Sequence, residues 1–469
     1  MIHKLLYQSK NSYTLLTAAL KYNSILSSEK GHSMLDIVLD FLTKLDDVFW
    51  SYLGVYLILI PGIYFTIRSK GFQFKVLGNF KSIFSDLYGV KENKEDYGIN
   101  PFKLYFASVG GMIGLGNIVV VITAVTLGGP GALLWLWISA IAGMLIKYSE
   151  IYLGVKHRVP NGKKGYDGGP MYYLKHAFNN KFIPLMSAVL MCVYGVEVSQ
   201  FKIINDTISS TFGFNSIAIM VLLIALIFYT SLGGVRRLAN YSSLLMPPFM
   251  LLYSMVCLYI ILSNYDLLPS IMYQVIVSSV QGHAPLAGFA GSSMIMALHY
   301  GVARAVYSGD IAIGYDSIIQ SETKTKHPEL QAKLAIFGQL TDTMICTLSI
   351  LVVLVTGVWT DPSLKDPSEF ILKSISLYIP YTNEFLSTIF FLAGYTTIIA
   401  YFTVGLKSAN FINPKWGKKA YTICALVAFI STYFTDQTHL IMIMSLSGGL
   451  LVLLNIAGII KLRKEIKFH

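Results

Sequence analysis

Residues 110–117, GGMIGLGN, set four glycines and an asparagine inside an apolar segment long enough to span a bilayer. Each glycine costs roughly 1 kcal/mol relative to alanine in a helix interior, so a chain that keeps four is using their missing side chains. Two readings stand. Small residues four apart, Gly110 and Gly114, let a neighbouring helix approach closely. Alternatively the helix is broken here, and unwound backbone offers N–H groups to an anionic ligand group and carbonyls to a cation. Asn117 supplies an amide that can tie up freed backbone groups. Non-helical backbone at membrane depth is tolerated only where protein covers it or it lines a cavity, so the second reading implies a cavity. A dinucleotide fingerprint is excluded, because the order is GxxGxG and no strand precedes it.

Other reactive side chains are sparse. Glu197 and Lys202 lie five apart within an apolar segment, where a charge is a functional candidate by default. They are expected to pair, or Glu197 to serve a proton-coupled carrier. Cys192, Cys257, Cys346 and Cys424 all fall inside apolar segments with no CxxC or His spacing, which predicts buried thiols that fill helix contacts. The nine histidines are scattered, and only His299 is well inside an apolar segment, where packing is its expected role. There is no GxSxG, phosphate loop, HExxH or workable carboxylate pair, so the chain is read as no enzyme and as needing no organic cofactor.

The elements that must carry these residues are membrane helices. Of 469 residues 54% are hydrophobic and 13% charged, with a mean hydropathy of +0.59, far from the roughly 25% charge of a soluble domain. Apolar runs of about 20 residues recur, where a β-barrel would show alternating segments of about 10, so the fold class is all-α. Eleven transmembrane helices are expected, at 46–68, 102–127, 131–155, 182–206, 215–232, 240–263, 286–304, 331–358, 383–406, 418–434 and 438–460. Residues 1–45 are a weakly amphipathic tail without a signal-peptide cleavage pattern. The gaps 69–101, 156–181, 305–330 and 359–382 are loop-sized.

The net charge of +11 reports topology. If the N-terminal tail faces outward, the loops 69–101, 156–181 and 305–330 share one side with Arg236, Arg237, the 415–419 cluster and the tail KLRKEIKFH. The opposite loops keep only Lys365 and Lys373. The excess of Lys and Arg makes the first side cytoplasmic and requires no nucleic-acid partner.

The run GLGNIVVVITAVTLGGPGALLWLWISAIAGMLIKYSEIYLGVKHR resembles the sodium:alanine/glycine symporter family. So do GGPMYYL (168–174), GGVRRLANYSSLLMPPFMLLY (233–253), AGFAGSSMIMALHYGVARAVYS (287–308), HPELQAKLAIFGQLTDTMICTLSILVVLVTG (327–357) and AGYTTIIAYFTVG (393–405). The resemblance implies a leucine-transporter-type fold of two inverted five-helix repeats, 102–263 and 286–460, preceded by the extra helix at 46–68 and followed by a cytoplasmic tail, 461–469. It makes the first helix of each repeat the broken one, so that GGMIGLGN faces GFAGSS at 288–293.

Carried over by position, the resemblance puts an amino acid's carboxylate on the N–H groups of Leu115 and Gly116, braced by Asn117. The ammonium group meets carbonyls around Gly111 and Met112 and around Phe289 to Gly291. Thr396 and Thr397 match a Thr pair whose hydroxyls, with the carbonyls of Gly110 and Ile113, give a hard oxygen shell for sodium, Thr397 and Tyr401 also bordering the substrate. Adjacent threonines in a membrane helix otherwise simply bond back to their own carbonyls. Asp342 in LTDTM matches a family Asp-Thr and is expected to form a structural or gating pair with a basic residue such as Arg304. Asp310 stands where the family has Glu.

The departures bear on the substrate. The family's GTGN is GLGN here, its Trp after the Thr pair becomes Tyr401, and its SNEAGxGSAP becomes SGDIAIGYDS. The implied function is sodium-coupled import of a small neutral amino acid, alanine or glycine, by alternating access in the cell membrane. The rivals are a proton-coupled or differently selective amino-acid carrier and a non-transporting amino-acid sensor.

Overall fold

A computed structural model describes residues 41–46, 48–88, 97–162, 164–281, 294–434 and 438–468. Residues 1–47 and 48–469 are separate units. Of the first unit only a helical segment, 41–46, is described, so the rest of the N-terminal tail lies outside the described residues.

The second unit is helical. A π-helical turn, Phe49–Leu53, leads into α1, Gly54–Arg68. Two short helices, Phe72–Gly78 and Phe80–Tyr88, follow. Helix α2, Pro101–Met112, starts with proline at its first position and the Asn100 side chain accepting from Phe102 N–H at 2.8 Å, which satisfies one of the donors a helix start leaves over. Helix α3, Leu115–Gly128, follows at an angle of 59° and tightens to a 3-10 turn at Val120–Ile122.

The remaining helices are α4 (Ala132–Lys156), α5 (Pro170–Phe178), α6 (Phe182–Tyr194), α7 (Val198–Phe212), α8 (Ser216–Ser231), α9 (Gly234–Ser263), α10 (Leu268–Gln281) and α11 (Met294–Ser308). Then come α12 (Tyr315–Gln320), α13 (Pro328–Val355), α14 (Pro367–Ser376), α15 (Thr382–Ile412), α16 (Gly417–Phe434) and α17 (Thr438–Lys461).

Among the described residues, six helical spans are long and apolar enough to cross a membrane, α6 with α7 counting as one, and seven if α2 with α3 is one bent span. Helices α1 and α8 are apolar but shorter. The segment expected at 182–206 is two helices, α6 and α7, interrupted at 195–197 and running on to Phe212. Of the segment expected at 286–304, only α11 is described. The loop expected at 156–181 contains a two-residue antiparallel pair, Val159–Pro160 with Tyr166–Asp167, a small exception to the all-α reading.

Helix α15 sits at the centre. In its apolar window 89% of residues are buried inside the protein, against 33% for α9, so α15 packs on protein all round while α9 turns most of its surface outward. Two of the four thiols, Cys257 and Cys346, are buried as expected; Cys192 is half-buried and Cys424 is exposed on α16, which corrects the expectation for those two.

Candidate functional site

Helix α2 stops because its backbone leaves the helical region at two successive residues, Ile113 (φ −90°, ψ 95°) and Gly114 (φ −125°, ψ −154°). Neither angle requires glycine; space does. A Cβ on Gly114 would lie 2.6 Å from both Gln200 Oε1 and Thr397 Oγ1. On Gly111 it would collide with the Tyr315 hydroxyl, whereas on Gly116 it would meet nothing within 4 Å. Glycines 111 and 114 thus admit neighbours, and Gly116 borders open space.

Side chains take up the backbone groups that the break releases. Asn117 Oδ1 accepts from Gly114 N–H at 3.1 Å, and Gln200 Oε1 of α7 accepts from Leu115 N–H at 3.3 Å. Gly116 N–H has no acceptor among the described residues. The other end of the Asn117 amide donates to Asp342 Oδ1 at 2.5 Å and to Cys346 Sγ at 3.3 Å, and its carbonyl accepts from Ser349 Oγ at 2.8 Å. Asn117 therefore staples the break to α13.

Asp342 also accepts from Ser308 and Gln339, each at 3.3 Å. Its expected pairing with Arg304 is not formed: no ion pair joins the two, and among the described residues Arg304 Nε has no hydrogen-bond partner. The carboxylate is taken instead by the Asn117 amide of α3. Glu197 and Lys202 do not pair either. Glu197 stands just before α7 without a side-chain capping bond and accepts from Gln200 Nε2 at 3.2 Å, while Lys202 reaches the next helical turn at Asp206, 2.9 Å away. A spacing of four puts ionic partners on one helix face; a spacing of five does not.

Helix α15 brings the Thr pair against the break. Thr397 Oγ1 lies 3.3 Å from the Gly110 carbonyl and 3.1 Å from that of Ala393. Thr396 Oγ1 lies 2.8 Å from the Ala393 carbonyl and 2.9 Å from that of Leu392, and faces Met246 Sδ at 3.4 Å. One turn on, Tyr401 stacks on Tyr315, ring centroids 4.5 Å apart, and meets Tyr194 edge-on at 5.4 Å. The Tyr315 hydroxyl donates to the Ala107 carbonyl at 2.9 Å. Of the expected site residues, Gly110, Gly111, Met112, Ile113, Leu115, Gly116, Asn117, Thr396, Thr397 and Tyr401 surround this break. Phe289 and Gly291 lie outside the described residues.

Beneath the break lies a buried charge cluster that the sequence reading passed over. Lys147 of α4 pairs with Asp316 of α12, which also accepts from Ser108 Oγ of α2. Lys147 Nζ further contacts the Gly309 carbonyl at 2.5 Å and Met112 Sδ at 2.9 Å, so it joins the end of α2 to the turn before α12. That turn holds Asp310 (φ 48°) and Ala312 (φ 64°) in the left-handed region, a strained backbone for residues other than glycine. Asp310 is buried beside Tyr401. Lys147 and Glu150 were open to detection as charges inside an apolar span, and Gln200 as an amide in one.

The model of the sodium:alanine symporter family matches residues 35–468. A probable sodium/glutamine symporter, GlnT of Bacillus subtilis, is 28% identical over 429 residues, 90% of this chain and 87% of its own. The sodium/alanine symporter AgcS of Methanococcus maripaludis is 27% identical over 406 residues, 83% of this chain and 88% of its own. Among solved structures, that of MhsT in complex with L-phenylalanine superposes with a TM-score of 0.53 at 16% identity, covering 76% of this chain and 89% of the other. This likeness extends to the fold, that of the leucine-transporter type.

Proposed function

The chain belongs to the sodium:alanine symporter family, and from that premise we propose that it imports a small neutral amino acid, alanine or glycine, together with sodium by alternating access. It is a membrane transporter and no enzyme. The observation that carries the reading is the break in α2–α3, where the N–H of Gly116 has no acceptor among the described residues and the carbonyl of Gly110 faces the Thr397 hydroxyl.

In this reading the substrate carboxylate sits on Gly116 N–H, with Leu115 N–H available if Gln200 yields. The ammonium group meets the carbonyls around Gly111 and Met112, with Phe289 and Gly291 expected opposite. Tyr315 and Tyr401 close the cytoplasmic side and leave room for a small side chain. Sodium takes the Thr396 and Thr397 hydroxyls and the carbonyls of Gly110 and Ile113, a set of neutral oxygens that suits a hard monovalent cation. Asp310 and Asp342 act as gating residues, the first beside Lys147 and the second through Asn117. The repeats are read as 102–263 and 286–460, and the tail 461–469 as cytoplasmic because positive charge concentrates at that end.

Uptake of labelled alanine and glycine into proteoliposomes under an imposed sodium gradient tests this. Sodium-driven accumulation supports the reading. Binding without exchange in a counterflow assay overturns transport in favour of a sensor. A proton-coupled carrier is the second reading, favoured by the buried Asp342 carboxylate bonded to the broken helix; accumulation driven by a proton gradient alone decides for it.

A further inference from the structure

At the end of the bundle where the C-terminal tail docks, three side chains distant in sequence converge. His157 follows the last turn of α4, His176 is in the last turn of α5, and Glu465 belongs to the tail. Glu465 Oε2 is 3.1 Å from His157 Nε2, and Oε1 is 3.5 Å from His176 Nε2. One ligand atom from each of the three residues lies within 4.8 Å of the other two. The imidazole centroids are 4.5 Å apart.

We propose that His157, His176 and Glu465 form a binding site for a divalent transition-metal ion, Zn²⁺ by ligand chemistry. Two imidazole nitrogens and a carboxylate oxygen are a common ligand set for zinc, with bonds of about 2.0–2.2 Å and a fourth position left to water. A tetrahedral shell of that size needs ligand atoms about 3.4 Å apart. Glu465 already lies 3.1 Å and 3.5 Å from the two imidazole nitrogens, close to that spacing. Sodium and magnesium prefer all-oxygen shells, so the site is distinct in chemistry from the sodium site proposed above.

The tail carrying Glu465 is already seated, which lowers the ordering cost of binding. Phe468 stacks on Tyr148 at 5.3 Å and lies edge-on to Phe72 at 5.8 Å. Tyr148 donates to the Lys467 carbonyl at 2.7 Å, and Leu462 and Ile466 are buried. An ion has a way in, because His176 is 58% exposed and Glu465 27%. Its competitor is Lys156, whose ammonium lies 2.8 Å from Glu465 Oε2. Zinc would displace that ammonium, a competition that weakens binding, and the bound ion would tie α4, α5 and the tail together.

The test uses the full chain in lipid nanodiscs, free of any affinity histidines, titrated with ZnCl₂ by calorimetry. A second reading follows tryptic cleavage after the exposed Lys464. One zinc per chain is expected, with cleavage slowed at least tenfold at saturation. His176→Ala, at an exposed position, should weaken binding at least tenfold and remove the protection, while Lys156→Gln should tighten binding several-fold. Zinc-free alanine uptake should be unchanged in both variants. Equal zinc affinity in native and His176→Ala protein, or zinc binding that leaves cleavage after Lys464 unaltered, overturns the site.

Discussion

Among the described residues two apolar spans are interrupted, and they are interrupted differently. In α2–α3 the chain turns through 59°, and its released N–H groups go to side chains, Asn117 for Gly114 and Gln200 for Leu115, leaving Gly116 without an acceptor among the described residues. Between α6 and α7 the span is not bent beyond 40°, and backbone carbonyls take up the N–H groups of Gly195, Val196 and Val198. Gly195 N–H reaches Met191 at 2.9 Å, Val196 reaches Val193 at 3.3 Å, and Val198 reaches Val196 at 2.8 Å. The glycine of the second interruption serves packing: a Cβ on Gly195 would sit 2.8 Å from the Tyr421 hydroxyl and 2.9 Å from the Tyr401 carbonyl. Donors held by their own backbone carbonyls are not open to a ligand. A break closed by neighbouring side chains can release its donors, which makes it the better place for a substrate.

Asn117→Ala is the strongest test of that contrast. It removes the cap on Gly114 and the amide on Asp342 together. A loss of about 3 kcal/mol in stability is expected, given what hydrogen bonds to charged groups and orphaned buried donors cost. Uptake should fall at least a hundredfold, and thermal unfolding in detergent gives the stability arm. Near-native stability and uptake in this variant would mean the first break is also closed by backbone.

Thr397→Ala comes next. Its hydroxyl faces the Gly110 carbonyl, so half-maximal uptake should need about tenfold more sodium, equivalent to about 1.4 kcal/mol. Thr396→Ala should shift the same curve less, because that hydroxyl is already held by two carbonyls of its own helix. A larger shift for Thr396 reverses the assignment. The two ligands should also tighten each other by one common factor, which sodium titrations at several alanine concentrations can measure.

Gln200 links the two interruptions, accepting from Leu115 while donating to Glu197. Gln200→Leu should lower stability by roughly 1 kcal/mol, the worth of one neutral hydrogen bond, read by thermal unfolding in detergent. The smallest effect belongs to Glu197→Gln, which keeps an acceptor for the Gln200 amide. Sodium-driven uptake within about twofold of native is expected, well under 0.5 kcal/mol. A collapse of uptake there would give the second interruption a coupling role and strengthen the proton-driven alternative.

Much of this was legible in the chain itself, because hydropathy and glycine content act locally. A run of apolar residues has to be helical in a bilayer whatever surrounds it, and a cluster of glycines marks where that helix is weakest. The long motifs from GLGN to AGYTT sufficed to indicate the family and its fold. Which of two readings of GGMIGLGN holds was not settled by spacing, since Gly110 and Gly114 suit a packed helix as well as a broken one.

Partnerships were decided by the tertiary structure alone. Asp342 meets Asn117 across 225 residues of sequence and Lys147 meets Asp316 across 169, and no periodicity within one helix encodes which neighbour a buried charge will find. The expected pairs, Asp342 with Arg304 and Glu197 with Lys202, were chosen by nearness in sequence or by sign of charge. In a packed bundle the shortest reach between helices wins. The same holds for His157, His176 and Glu465, three residues with no ligand spacing that docking of the tail against the ends of α4 and α5 draws into one cluster.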